Sequence, residues 1–235
     1  VDTLPYAAPL LEWQQRRVAH LVVTVDQTGG DIATFGADHF VRVDDYRVPP
    51  DTMVELIVAT AAAVVARLVI VVGDPSLTGM LSDALATRLP VGCHVAIEPM
   101  ATDADELADI VVRHVSDLVA RATVDRLREQ RFMATHDAAV DGTEDTVLAL
   151  AGGTAESLMV HDDPDDRRRL WIGSEPNRLS LDETPGYRQA RLVDALIRSA
   201  VLQAIPVWII PRTGPTGPAD DAAALIDPPP VIDEL

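Results

Sequence analysis

The sequence predicts an α/β protein of two units: a first with the element order βββαβαβα over residues 1–137, and a small α/β sandwich over residues 138–235. Three observations predict it. Three short β-branched runs follow one another closely near the start, helical and strand-like patterns then alternate, and one long amphipathic stretch leads into a second set of both. A chain of 235 residues has room for one large or two ordinary domains. Apolar residues make up 48% and aromatics only 4%, so the expected core is Val, Leu, Ile and Ala layered between sheet and helices.

Residues 4–9 form a Pro-containing lead-in, followed by a polar stretch at 12–17. Strands are expected at 21–25, 31–35 and 39–43, with Thr28-Gly29-Gly30 and Gly36-Ala37-Asp38 as the turns of a meander. Pro49-Pro50-Asp51-Thr52 signals a helix start, with Glu55 completing a capping box on Thr52 and the helix running to about Ala66. The strand at 68–72 then begins with almost no loop, so the helix stops short of Ala66 or a loop is missing. That strand is an unbroken apolar run suited to burial on both faces. A helix at 77–89, a strand at 93–97 and a long helix at 103–133 follow, the last carrying Leu107, Ile110, Val111, His114, Leu118 and Ala122 on one stripe.

The second unit is expected as helix 143–151, strand 156–160, the acidic loop 161–166 and strand 169–172. An irregular stretch then leads to helix 187–203, strand 206–210 and a short helix at 219–226. The tail carries three consecutive prolines.

The longest uncharged apolar run, residues 56–66, is shorter than the about 20 residues a membrane-crossing helix needs. One cysteine, Cys93, excludes an internal disulfide and a multi-cysteine zinc site, and a reducing cytoplasm is the expected setting. The formal charge is −18 and all 19 basic residues are Arg. An acidic surface argues against non-specific nucleic-acid binding, and the lack of Lys excludes a Walker-type phosphate loop and a Schiff-base lysine.

Asp26, Glu55, Asp74 and Glu98 could place carboxylates at one sheet rim, as a two-metal phosphodiesterase requires. Each also has a local explanation in a turn, a capping box, a helix start or a strand end. The six histidines show no ligand spacing, Ser76 lies in no nucleophile elbow, and Cys93 is expected in the sheet core. Arg121, Arg126, Arg128 and Arg131 recur along the long helix, and Arg167-Arg168-Arg169 form a triplet. Both groups have acidic neighbours that can pair with them.

A three-strand meander followed by αβαβα is the order of the ribonuclease H-like fold. With the segments LPYAAPLLEWQQRR, HLVVTVDQTGGDIATF, VIVVGD and GGTAESLMV, the chain resembles the central and C-terminal domains of the release-factor and Pelota superfamily, and more closely its bacterial, actinobacterial branch. The resemblance implies a ribosome A-site ligand whose last domain, of the release-factor C-terminal or ribosomal-protein type, recruits partners that include translational GTPases. It also implies a decoding-type domain upstream of Val1. The superfamily's Gly-Gly-Gln belongs between the third strand and the first helix, where this chain has Asp44-Asp45-Tyr46-Arg47-Val48-Pro49-Pro50. Gly29-Gly30 and Gly152-Gly153 lie elsewhere and precede Asp31 and Thr154.

The expectation is therefore a translation-associated protein acting on stalled, stressed or hibernating ribosomes, with no cofactor and no peptidyl-tRNA hydrolysis. Tyr46, Arg47, Arg121, Arg126, Arg128 and Arg131 are its expected rRNA contacts. Two alternatives stand beside it: a metal-dependent nuclease using Asp26 with Asp74 and Glu98, and an acidic protein–protein adaptor.

Overall fold

The computed structural model describes Leu4 and residues 6–36, 40–42, 49–210 and 217–227. Packing divides the chain into a first unit, Arg16–Arg121, and a second unit made of Val1–Gln15 with Ala122–Leu235. This differs from the expected division at residue 137 in two respects. The long helix contributes to both units, and the first helix, α1 (Ala8–Gln15), packs with the second unit.

The first unit holds β1 (His20–Asp26), β2 (Gly29–Phe35), β3 (Phe40–Arg42), α2 (Pro50–Ala63), β4 (Leu68–Gly73), α3 (Pro75–Ala86), β5 (His94–Pro99) and the start of α4 (Ala104–Ala134). Its sheet has the order β3-β2-β1-β4-β5, with β1, β2 and β3 antiparallel and β4 and β5 parallel to β1. All six residues of β4 are buried. Alternate side chains serve opposite faces: Val69 and Val71 pack with Met53, Ile57, Leu81 and Leu85 beneath α2 and α3, while Leu68, Ile70 and Val72 pack with Ile110 and Leu118 of α4.

At the carboxyl end of this pair the backbones nearly touch. A Cβ on Gly73 would lie 2.0 Å from the Val25 carbonyl oxygen, so only glycine fits. A Cβ on Gly30 would meet the Thr24 oxygen and the Met53 methyl at 2.4 Å.

The tight junction before β4 resolves as an early helix end. Helix α2 stops at Ala63, Val65 N–H donates to Ala62 O, and Ala66 N–H donates to Ala61 O, which is the Schellman pattern. Val65 takes the left-handed position with φ 52°, and Ala204 does so after α6 with φ 58°. The expected capping box is replaced. Pro49 is the N-cap, the Thr52 hydroxyl donates to the Pro49 carbonyl, and Glu55 pairs with Arg88 at 2.9 Å.

The second unit contains α1, the end of α4, β6 (Ala139–Asp141), α5 (Thr143–Gly152), β7 (Ala155–His161), β8 (Arg169–Ile172), β9 (Leu179–Ser180), β10 (Arg188–Arg191), α6 (Leu192–Leu202), β11 (Val207–Ile210) and β12 (Ala222–Ile226). They form a four-stranded sheet, β11-β7-β12-β6, and a three-stranded sheet, β10-β8-β9. The core joins Leu158, Leu170, Ile172, Leu192, Leu196 and Ala8.

Edge strand β11 is covered by α1. The Gln15 amide donates Nε2–H to the Val207 carbonyl (3.5 Å) and accepts the Ile209 N–H on Oε1 (3.2 Å), taking up hydrogen bonds that an added strand would otherwise make.

One expected helix, 187–203, begins later than expected, and another, 219–226, is mostly a strand. Residues 188–191 pair antiparallel with β8, and α6 begins only at Leu192. Residues 222–226, expected as a short helix, form β12 between β7 and β6, with only the turn Ala219–Asp221 helical. Burial of Ala222, Ala223 and Ala224 in the middle of a sheet overrides their helical propensity. Among the described residues no helix is long and apolar enough to cross a membrane.

Candidate functional site

Asp26 ends β1, and its carboxylate accepts the N–H and the hydroxyl of Thr28, both at 2.7 Å. Asp74 caps α3, accepting the Ser76 N–H at 2.9 Å and the Ser76 hydroxyl at 2.5 Å. These hydrogen bonds hold its carboxyl below the ordinary range. Both aspartates line one open recess beside Gly73 at the carboxyl ends of β1 and β4.

Glu98 is committed elsewhere, accepting from His114 Nε2 at 2.6 Å and from Arg113 at 2.7 Å. Burial pushes the Glu98 carboxyl up, but these hydrogen bonds outweigh it and hold it below its usual range. The alternative metal set of Asp26, Asp74 and Glu98 is therefore not assembled. Each carboxylate is taken by donors near it, and among the described residues no three His, Cys, Asp or Glu side chains stand together as metal ligands do.

The arginines of α4 divide by partner. Arg126 pairs with Glu129 at 2.7 Å and lies 5.9 Å from the Trp208 ring centre, while Arg128 pairs with Asp125 at 3.4 Å. Arg131 also has a partner. Arg121 makes no ion pair among the described residues and lines a recess with His94 and His114. Tyr46 and Arg47 lie outside the described residues. In the Arg167-Arg168-Arg169 triplet, Arg168 is held by Asp166 at 2.9 Å and Asp221 at 2.7 Å, and Asp221 also meets His161 Nδ1 at 2.9 Å.

Sequence patterns did not reveal a second polar cluster in the second unit, centred on Arg191. Arg191 binds Asp162 at 2.6 Å and Asp194 at 3.4 Å, and its guanidinium lies 5.0 Å from the centre of the Tyr6 ring. The Tyr6 hydroxyl donates to Asp162. Lost hydration, then the hydrogen bond to Asp162 and its charge, push the Tyr6 phenol up to about 12. Burial raises the Asp194 carboxyl. The cluster fastens the acidic loop to α6 and to the N-terminal segment. The only advance signal was the density of Asp in that loop.

Both Gly-Gly pairs have structural work. Gly29, at φ 132°, closes the β1–β2 hairpin, and Gly153, at φ 72°, ends α5.

No protein-family model matches the chain, and no curated protein matches it. Solved structures do. A ribosome-bound archaeal Pelota, described together with ABCE1, has a TM-score of 0.58 at 13% identity, over 90% of this chain and 62% of that one. Dom34 of S. cerevisiae, described as a translation termination-like factor involved in RNA quality control pathways and interacting with Hbs1, has a TM-score of 0.56 at 12% identity, over 94% of this chain and 67% of that one. A second structure of Dom34 has a TM-score of 0.52 at 9% identity, over 94% and 66%. The chain thus spans about two thirds or less of these proteins, and at such identities the likeness is one of fold.

Proposed function

From that shared fold, we propose that this chain is a translation-associated factor of the release-factor and Pelota type, binding the A site of stalled or hibernating ribosomes without hydrolysing peptidyl-tRNA. The observation that carries this reading is the strand order β3-β2-β1-β4-β5 followed by α4 leading into a second α/β unit, in a chain matching ribosome-bound archaeal Pelota at a TM-score of 0.58. The antiparallel β1–β3 and parallel β4 and β5 also support the ribonuclease H-like name for the first unit.

The residues before α2 contain no Gly-Gly-Gln, and each Gly-Gly pair elsewhere is required by a turn or a helix end. Hydrolytic release is left out of the reading for that reason. A formal charge of −18 opposes indiscriminate adhesion to RNA, so binding is directed by shape, by protein contacts and by a few arginines. The Hbs1 partnership of Dom34 makes a translational GTPase the partner to look for. The reading needs no cofactor and places the protein in the cytoplasm.

Sedimentation of ribosomes from starved cells at moderate salt tests it. The tagged protein is expected with the ribosomes, and replacing Tyr46 and Arg47 with Ala is expected to weaken the association. A protein that stays wholly in the soluble fraction overturns the reading.

A further inference from the structure

At the outer edge of the first unit's sheet, β5 and α4 enclose a recess of 160 Å³. Its floor includes Leu68 and Ala96, and its polar walls are His94 from β5 and His114, Asp117 and Arg121 from α4. The spacing 114, 117 and 121 keeps the three α4 side chains on one helix face.

Their hydrogen-bonding capacity is unevenly used. His114 gives Nε2–H to Glu98, which fixes the ring and leaves Nδ1 as its other polar atom. Arg121 and His94 make no side-chain hydrogen bond or ion pair among the described residues, whereas Arg113, Arg126 and Arg128 each hold a carboxylate. In a chain with 37 acidic and 19 basic residues, an unengaged guanidinium beside the unengaged His94 imidazole is a local concentration of donors.

We propose that this recess seats a phosphate-class oxyanion, with Arg121 and His94 as donors and the Glu98-oriented His114 as the third wall. A guanidinium presents paired N–H groups matched to phosphate oxygens, and the His94 imidazole can add one N–H. Asp117 is the acidic group that lines the recess, and its charge opposes an oxyanion there. An RNA backbone and a small phosphorylated molecule present the same oxyanion. The proposal stands on this geometry and does not depend on ribosome binding.

Isotope-labelled full chain is titrated separately with inorganic phosphate and with a single-stranded oligoribonucleotide lacking terminal phosphates, each against chloride of matched ionic strength. Saturable shifts are expected at the His94 and His114 rings and at Arg121 Nε. Arg121→Gln is expected to weaken binding about five- to tenfold and His94→Gln severalfold. All three side chains lie at the surface or part-buried, and an unchanged amide spectrum elsewhere establishes that each variant folds. Shifts with both ligands identify an RNA backbone as the source, and shifts with phosphate alone identify a small phosphorylated molecule. Equal shifts with chloride, or affinities indifferent to both substitutions, overturn the proposal whatever the ribosome experiment shows.

Discussion

His114 Nε2 stands 2.6 Å from Glu98 Oε1, an oxygen that Arg113 also reaches at 2.7 Å, so one carboxylate of edge strand β5 holds two successive residues of α4. The folded Glu98 carboxyl lies below its unfolded value of about 4.3, so its contribution is complete above that pH and is lost as pH falls through the folded value. Replacing Glu98 with Gln should cost about 1 to 2 kcal/mol at pH 7, and the difference should shrink below about pH 4. Urea unfolding at several pH values measures it.

Gly73 and Gly79 should respond oppositely to alanine. At Gly73 the added Cβ would lie 2.0 Å from a backbone oxygen of β1, and the central strand pair must part. A loss of at least about 2 kcal/mol follows. Gly79 sits inside α3 with no atom within 4 Å of the added Cβ, and Ala there should stabilise by about 0.5 to 1 kcal/mol. Thermal unfolding of both variants checks the pair.

Val65 is a β-branched residue held at φ 52° and 78% exposed, so it bears backbone strain with little packing in return. Val65→Gly should raise the unfolding free energy, read from urea unfolding, by about 0.5 to 1 kcal/mol after the entropy of glycine is subtracted. No gain would mean that the side chain makes a contact worth the strain.

Tyr6 should remain protonated well above the pH at which a free tyrosine ionises. Its folded value of about 12 lies above the unfolded value near 10, so its contribution is complete below about pH 10 and fades as pH rises toward 12. Tyrosinate absorbance should show a late step, and Tyr6→Phe should remove it.

His20 is buried, stacks on Phe35 at 4.6 Å and hydrogen-bonds the Val18 carbonyl, and burial lowers its affinity for a proton despite that bond. The unfolded chain therefore binds the proton more readily. Stability should fall as pH drops below about 6.5, and His20→Gln should flatten that part of the profile.

Much of the first unit was legible because its signals are local. The run Leu68–Gly73 announces a strand covered on both faces, and α4 declares its buried stripe through Ile110 and Leu118. Asp26 and Asp74 were readable as turn and cap residues, and the structure puts them to those uses.

Strand β12 was not legible. Ala222–Ile226 has helical composition, and only the place between β7 and β6 makes it a strand. The Arg191 cluster was hidden for a similar reason, since Asp162 and Tyr6 meet it from separate parts of the chain. On α4, acids three residues away foretold the pairing of Arg126 and Arg128, but nothing in the spacing singled out Arg121 beside His94.

The clasp of Gln15 on β11 bears on the order of assembly during synthesis. Gln15 is synthesised well before its acceptor strand β11 and before β12, with the whole of Arg16–Arg121 between them. Until they emerge, the nascent second unit exposes a bare sheet margin, and a clone starting at residue 122 would retain that margin permanently and tend to precipitate.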